Sequence, residues 1–313
     1  MNIVFSSDDN YARHIAASMV SIMENNQSEE KITFYILNVG LSQDSINKLC
    51  KTADLYNRQV CVVDFKDIND RLQTCDVSLG TFTIETFTRL FLAEALPETE
   101  DRAMWIDGDT SVLGSIHDMY YCDMQDNAIA AVVDQPFFDL DVSRRDAELQ
   151  GVPYVAAGMF VANLNVWRKE KLSEQFVDYF KTRNGSLAFL EQSVMNHILT
   201  GRIFLLDFKY HVITPAFFMR YSTMVKKWSG NQYYSKRSFT EGKRHPVIVH
   251  YAIFRPWKKW CLHPMKKHYR KYIKMTPYKD VPLENDGLLS VVKKLYNSIF
   301  ARIKRFLNIG QDA

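Results

Sequence analysis

Residues 103–114, with the sequence AMWIDGDTSVLG, guide the interpretation of the whole chain. An apolar run from Met104 to Ile106 predicts a buried strand, and it stops at two acids, Asp107 and Asp109. A tight turn that delivers two carboxylates from a strand end suits a divalent metal, which prefers oxygen ligands. A metal held there could neutralise a diphosphate. The Asp-x-Asp pattern is weak alone, because it also occurs in a polar stretch at Asp139-Leu140-Asp141.

Short apolar runs alternate with helical patterns along the first two hundred residues. The predicted strands are Ile3 to Phe5, 32–39, 60–63, 103–107, 128–133 and 158–164. The predicted helices are one with Ile15, Met19, Ile22 and Met23 on one face, 42–56 with Ser42 as N-cap, 82–96 and 166–180. This order predicts an α/β fold with a largely parallel sheet covered by helices on both faces. Asp8 and Asp134 also follow predicted strands, so they should meet the 107/109 pair at one edge of the sheet.

Length and composition bound the class of protein. A chain of 313 residues that is 47% hydrophobic suits one large α/β domain with an appendage, or two small domains. Its five cysteines are an odd number without close paired spacing, which favours a reducing compartment over a disulfide framework or a zinc site. The N-terminal residues do not resemble a signal peptide, and no run of about eighteen apolar residues predicts a membrane-spanning helix.

Charge is unevenly distributed, although the net value is only +3. From Lys243 to the end there are 16 Lys and Arg against 4 Asp and Glu, whereas the preceding residues carry 23 against 32. Residues 287–306 place apolar side chains at helical spacing beside basic ones, which predicts a helix lying in an anionic membrane interface. The alternative is a helix that packs on the body or on a second subunit, so the oligomeric state stays open. Nucleic acid is not expected as a partner, because the sheet edge is acidic and no nucleic-acid motif is present.

The chain becomes irregular and aromatic after about residue 205. Its aromatic residues there include Phe217, Phe218, Tyr221, Trp228, Tyr233 and Tyr234. They indicate either the packing of a loop-rich subdomain or a platform for a sugar ring. Next, a short apolar strand ends at His250, and Arg255 follows five residues later.

These motifs together resemble the retaining glycosyltransferases of family 8, particularly the bacterial lipooligosaccharide galactosyl- and glucosyltransferases, over roughly residues 1–265. Asp8-Asp9-Asn10-Tyr11 resembles the uridine-binding loop of the family, and Thr88-Arg89-Leu90 resembles the segment with its donor-contacting arginine. Residues 105–109 match its Asp-x-Asp, and Asp134 matches the acid that touches the donor sugar. His250 with Arg255-Pro256-Trp257 resembles the His…Lys-Pro-Trp motif, whose histidine binds manganese.

The basic, amphipathic composition of the C-terminal residues predicts a membrane-association region over 266–313, and the resemblance implies a GT-A type, Rossmann-like domain over residues 1–265. It implies transfer of galactose or glucose from a UDP-hexose, with Mn²⁺ or Mg²⁺, to a lipopolysaccharide or other cell-surface saccharide at the cytoplasmic face of the membrane. The implied metal ligands are Asp107, Asp109 and His250. The implied donor-binding residues are Ser6, Asp8, Asn10, Tyr11, Arg89, Asp107, Gly108, Ala157 and Gly158, and the implied catalytic residues are Gln192, Glu191, Asp134 and Arg255.

The sequence departs from the family pattern on the sugar side. The asparagine of the family's Phe-Asn-Ala-Gly or Phe-Asn-Ser-Gly motif is replaced by Ala156, and its Asp-Gln-Asp is Glu191-Gln192-Ser193 here. Arg255 stands for a lysine, in a motif that also lacks its glycine. These changes leave the identity of the hexose open. Two alternatives stay open as well: a non-catalytic binder of nucleotide sugars or saccharides, and a nucleotidyltransferase, although the latter would normally show a glycine-rich phosphate loop.

Overall fold

The computed structural model describes residues 1–65, 87–136, 149, 151–183, 187 and 189–285. Three sequence-based predictions lie outside these residues. They are the second Asp-x-Asp at 139–141, the first part of the helix predicted over 82–96, and the amphipathic helix predicted from residue 287.

The described strands form two sheets. They are β1 (Asn2–Ser7), β2 (Thr33–Asn38), β3 (Gln59–Asp64), β4 (Arg102–Ile106), β5 (Thr110–Val112), β6 (Ile129–Val133), β7 (Val155–Asn163), β8 (Ile203–Leu205), β9 (Val212–Ile213) and β10 (Ile248–His250). The main sheet has the order β3-β2-β1-β4-β7-β6-β8, and a smaller sheet has the order β5-β10-β9. Within the main sheet only β7 runs antiparallel to its described neighbours, so the predicted largely parallel sheet is confirmed.

Helices follow most of the strands in the described chain. They are α1 (Asp9–Asn25), α2 (Gln43–Asp54), α3 (Leu92–Ala95), α4 (His117–Tyr120), α5 (Leu164–Lys169), α6 (Leu172–Thr182), α7 (Leu190–Ile198), α8 (Thr214–Phe218), α9 (Tyr221–Lys227), α10 (Lys236–Arg244) and α11 (Lys266–Ile273). A 3₁₀ turn, Thr88–Phe91, precedes α3. Ser42 caps α2 as predicted, because its side chain accepts a hydrogen bond from the amide of Ser45. The single helix predicted over 166–180 is wrong: Lys171, at φ 53°, separates α5 from α6.

The core lies on both faces of the main sheet, because successive side chains of a strand point to opposite faces. In β1, Ile3 and Phe5 join the cluster under α1, whereas Val4 joins the cluster under α5, α6 and α7. Met104 and Trp105 of β4 divide in the same way. Both faces of the central strands are therefore apolar, which is typical of a sheet covered by helices on each side.

The described part of the predicted C-terminal region, residues 266–285, packs against α1. The hydroxyl of Tyr269 lies 2.7 Å from Nδ1 of His14, and both side chains are buried. Glu284 forms ion pairs with Arg13 and Lys258, and its backbone amide donates to the carbonyl of Trp257 at 2.9 Å. The predicted division at residue 265 stays a prediction. In the part of the chain that the structure describes, no helix has the length and apolar character needed to cross a membrane.

Candidate metal and donor site

The two sheets meet at the Asp107-Gly108-Asp109 turn, which joins the end of β4 to the start of β5. Because β5 pairs with β10, His250 lies opposite Thr110, directly beside Asp109. One oxygen of each carboxylate and a ring nitrogen of His250 all lie within 4.8 Å of one another. The three predicted metal ligands are therefore brought together, the third by a strand nearly 140 residues further along the chain.

The spacing and chemistry of these three groups fit a divalent ion. Nε2 of His250 lies 3.0 Å from Oδ1 of Asp109 and 3.8 Å from Oδ2 of Asp107. Adjacent ligands of an octahedral ion with bonds of about 2.1 Å lie about 3 Å apart, so little movement would be needed. Two carboxylates and an imidazole are a donor set that Mn²⁺ accepts.

The ionisation of the cluster is coupled. Burial alone would lower the pKa of His250, but the charges of Asp109 and Asp107 outweigh it, so the pKa is raised. Burial would raise the pKa of Asp109, and His250 reverses this, so that pKa is lowered. These shifts favour a protonated His250 beside an ionised Asp109, and because a metal needs the neutral imidazole, metal binding would release that proton.

His211 supports His250 from behind, and the sequence patterns did not identify it. Its Nε2 lies 2.9 Å from Nδ1 of His250, and the two rings are stacked. His211 is fully buried, and burial lowers its pKa well below the ordinary value, so it stays neutral. A neutral His211 can accept the Nδ1 proton of His250, which leaves Nε2 of His250 free to bind a metal. A lone histidine between Tyr210 and Val212 gave no signal in the sequence.

Two glycines allow the backbone to approach this site closely. A Cβ added to Gly158 of β7 would lie 2.5 Å from Cε1 of His250 and 2.9 Å from Oδ2 of Asp107. A Cβ on Gly108 would lie 2.7 Å from Cγ1 of Ile15, so this glycine lets the turn pack on α1. Both positions were predicted to bind the donor. The close packing around them gives a further reason why each is a glycine.

Arg89 links the metal cluster to β7. Its guanidinium lies 3.1 Å from Oδ1 of Asp107 and donates to the carbonyl of Ala157 at 2.6 Å. The guanidinium of Arg89 also lies over the ring of Trp105. The Nε1 proton of Trp105 is donated to Oδ1 of Asp107 at 2.9 Å. These contacts fix Asp107 in position, with its other oxygen towards His250.

The sugar-side residues Asp134 and Gln192 are in contact. Nε2 of Gln192 donates to Oδ2 of Asp134 at 3.3 Å, and Oε1 of Gln192 accepts from the amide of Ala157 at 3.0 Å. Burial raises the pKa of Asp134, although hydrogen bonds from the Gln135 amide and Gln192 oppose this. Glu191 is buried in the first turn of α7, one residue before Gln192. Arg89, through Ala157, connects this half of the site to the metal half.

The predicted nucleotide loop lies at the end of β1. Asp8 is the N-cap of α1, since its Oδ1 accepts from the amide of Tyr11 at 2.9 Å and its Oδ2 accepts from Asn10 at 2.7 Å. Oγ of Ser6 is buried, without a hydrogen-bond partner among the described residues. Arg255 is exposed beside this loop, where its charge acts on the hydroxyl of Tyr11.

The aromatic segment after residue 205 includes two side chains that hydrogen-bond to the backbone of Val133 and Asp134. Trp228 and Tyr234 are buried, and the Nε1 proton of Trp228 is donated to the carbonyl of Asp134 at 2.7 Å. The hydroxyl of Tyr234 accepts from the amide of Val133 at 3.0 Å. For these two residues the packing alternative is correct. Buried tryptophan and tyrosine side chains usually form a hydrogen bond through their polar atom. This general tendency was the only indication in the sequence that these two residues would support the site.

Comparison with known proteins identifies the class to which this fold and site belong. The family described as Glycosyl transferase family 8 matches residues 2–261, so the chain belongs to this family and is a glycosyltransferase. It is 26% identical over 306 residues to a lipopolysaccharide 1,2-glucosyltransferase of Escherichia coli (strain K12), covering 96% of this chain and 86% of the relative. It is 22% identical over 292 residues to a lipopolysaccharide 1,3-galactosyltransferase of Salmonella typhimurium (strain LT2), covering 91% and 81%.

The fold has a solved counterpart. The galactosyltransferase LgtC, crystallised with donor and acceptor sugar analogues, superposes with a TM-score of 0.73 at 19% identity. The match covers 88% of this chain and 96% of that one. The predicted GT-A type fold is therefore confirmed for the described residues.

Proposed function

We propose that this chain is a metal-dependent, retaining hexosyltransferase that moves galactose or glucose from a UDP-sugar to a saccharide acceptor. The observation that carries the proposal is the cluster of Asp107, Asp109 and His250 at the sheet edge. The activities named for the two relatives, a glucosyl and a galactosyl transfer in lipopolysaccharide, support a lipopolysaccharide or other lipid-linked glycan as acceptor.

Asp107, Asp109 and His250 would hold the ion, Mn²⁺ or Mg²⁺, which as a Lewis acid would neutralise the donor diphosphate. Arg89 orients Asp107 through its 3.1 Å ion pair, so that the carboxylate need not reorganise when the donor arrives. Arg255 would place a second positive charge beside the departing phosphate, in keeping with its exposed position near Tyr11.

The nucleotide would lie against the loop at the end of β1. The buried Ser6 Oγ, which lacks a described partner, offers a donor and an acceptor for a polar group of the uridine. Tyr11 and Asn10 border the same loop, and Asp8 holds it by capping α1. Gly108 and Gly158 would contribute by letting the turn and the metal cluster pack closely, since a Cβ on the first would collide with Ile15 and a Cβ on the second with His250.

We infer that the hexose leaves and is attacked on the same face. The bond between its anomeric carbon and the phosphate oxygen breaks, the acceptor oxygen forms the new bond, and the acceptor proton passes to the leaving phosphate. Gln192, held by the Ala157 amide and Asp134, would orient the sugar during this step. A glycosyl adduct trapped on Glu191 or Asp134 would contradict this mechanism.

The test is incubation with UDP-glucose, UDP-galactose or UDP-N-acetylglucosamine, with Mn²⁺ and an acceptor extract, scored for UDP release. One hexose donor should be turned over, and NMR of the product should show the donor's anomeric configuration. Asp107→Asn and Asp109→Asn should lower turnover about 100-fold or more, whereas Asp118→Asn, which removes an exposed acid from α4, should not. Binding of a donor without turnover would favour the non-catalytic alternative.

We also propose that the enzyme works at the cytoplasmic face of the cell membrane, held there by the basic region after residue 265. The charge imbalance of the sequence supports this, since basic segments are attracted to anionic lipids. Flotation with vesicles containing phosphatidylglycerol should recover the full chain and lose a chain that ends at residue 286. Equal recovery of both chains would refute a role for residues 287–313 in membrane binding.

A further inference from the structure

A second cleft lies near the C-terminal end of α8, whose first residue contacts the backbone of His250. It has a volume of about 720 Å³ and is bordered by α8, α9, α10 and the turn at Pro264 and Met265. Clefts of about 300–1,000 Å³ are large enough for small ligands. None of the residues assigned above to the metal or the donor lines it.

The rim of this cleft is positively charged. Among the described residues that line it, Arg220, Lys236, Lys243 and Arg244 are cationic and none is acidic. Arg244 lies 3.4 Å from Glu241 in an exposed pair, whereas Arg220 and Lys236 are exposed and make no ion pair with the described chain. Lys243 donates to the carbonyl of Met219 at 2.7 Å, which holds its charge at the edge of the cleft. Such a rim suits an anion, and phosphate in particular.

The base of the cleft is aromatic. Phe239 is buried, Phe217 and Tyr221 are partly exposed, and the Lys243 ammonium lies 5.1 Å from the centre of the Phe239 ring. Aromatic faces beside a few polar groups bind the apolar face of a ring and fix its orientation. A bare phosphate ion would use the rim and leave the partly exposed rings of Phe217 and Tyr221 uncovered.

Helix α8 connects the cleft to the metal cluster. At its start, the hydroxyl of Thr214 donates to the carbonyl of His250 at 3.2 Å, and near its end Phe217 lines the cleft. A helix of five residues spans about 7 Å, so an extended saccharide could reach from one site to the other. On the opposite wall, the carbonyl of Met265 accepts from Tyr251, the residue after His250.

We propose that this cleft binds a phosphorylated sugar unit of the acceptor. The assignment to the acceptor rests on the proposed function, whereas the binding of a sugar phosphate does not. The cationic rim holds the phosphate and the aromatic base holds the sugar ring, while the rest of the acceptor extends along α8 towards the metal cluster.

The binding is tested by calorimetry at fixed ionic strength, without donor or metal, using glucose 6-phosphate, glucose, inorganic phosphate and vesicles of phosphatidylglycerol in phosphatidylcholine. Glucose 6-phosphate should bind more tightly than glucose or phosphate. The Arg220→Gln/Lys236→Gln variant should weaken it about tenfold or more, since it removes charge-assisted hydrogen bonds. Arg237→Gln, on the same helix α10 but outside the cleft, should bind like the wild type.

Three results would overturn the inference. They are an affinity for glucose 6-phosphate that the double variant leaves unchanged, equal affinities for phosphate and glucose 6-phosphate, and vesicle binding that the double variant weakens while glucose 6-phosphate does not bind. The last would assign the cleft to a lipid headgroup. Donor hydrolysis without acceptor should be equal in the double variant and the wild type. If neither protein hydrolyses or transfers any donor while glucose 6-phosphate still binds, the proposed function fails and the cleft remains a sugar-phosphate site.

Discussion

Gly158→Ala adds one methyl group at the most crowded point behind the metal cluster. Gly158 is not among the glycines with positive φ, so alanine is compatible with its backbone and the pairing of β7 with β4 can persist. The new Cβ would lie 2.5 Å from Cε1 of His250 and 2.9 Å from Oδ2 of Asp107. Non-bonded carbons prefer about 3.5–4.0 Å, so His250 must move by about 1 Å.

A displacement of this size has a predictable consequence. Overpacking of this kind typically costs about 1–3 kcal/mol of folding free energy. A misplacement of about 1 Å at reacting groups costs about 100-fold in rate, and disturbed support of a ligand costs about 10- to 100-fold in metal affinity. We therefore expect Mn²⁺ binding to weaken by about 10- to 100-fold and transfer to fall by about 100-fold, with the fold retained.

Calorimetric titration with Mn²⁺ measures the affinity, UDP release measures transfer, and circular dichroism checks the fold. Gly114→Ala is the matched control, because its Cβ would make an ordinary contact, 3.7 Å from Cγ2 of Val247. If Gly158→Ala binds Mn²⁺ and transfers the hexose as well as the wild type does, the assignment of the metal to this cluster is refuted.

Three further predictions concern the residues around the site. His211→Leu removes the hydrogen-bond partner of His250 and should weaken Mn²⁺ binding about 10- to 100-fold in calorimetry; unchanged affinity would contradict the supporting role. Trp228→Phe leaves the carbonyl of Asp134 without its 2.7 Å hydrogen bond and should lower the free energy of unfolding in urea by about 1–3 kcal/mol. Burial lowers the pKa of His14 to about 3, so the folded protein keeps it neutral while the unfolded chain protonates it near 6.5. Stability should therefore fall as the pH drops from 6.5 towards 3, by about 1.4 kcal/mol per pH unit from this group, and His14→Gln should reduce the slope in urea unfolding.

The sequence was sufficient to predict those strands and helices that have a clear apolar pattern or a recognisable capping residue. The apolar runs of β1 and β2 predict buried strands, and Ser42 marks the start of α2 as its N-cap. The antiparallel direction of β7 was not accessible, because a strand buried on both faces reads the same in either direction. The break at Lys171 was also hidden, since neither glycine nor proline marks it.

For the site, the pattern predicted Asp107 and Asp109 from their position after a buried strand. The third ligand could not be predicted from a local pattern, because His250 reaches the two acids through the pairing of β10 with β5, which are far apart in the sequence. Only the resemblance to the family predicted it. His211 was missed for the same reason, since its contact with His250 joins residues that no local period relates.

Two of the departures from the family pattern, Ala156 and Ser193, are buried inside the fold. Ser193, where the family has its second acid, is 1% exposed, and its Oγ lies 3.0 Å from the hydroxyl of Tyr154 and accepts from the amide of Phe189 at 3.1 Å. It is therefore enclosed by the protein behind Gln192 and cannot touch a sugar without rearrangement. Ala156 is likewise buried. The side chains at both altered positions lie inside the fold, each next in the chain to one member of the hydrogen bond between the Ala157 amide and Gln192, so we expect them to affect the hexose by shifting Gln192. Choice of donor should then depend on the angle at which Gln192 is held rather than on a missing polar group.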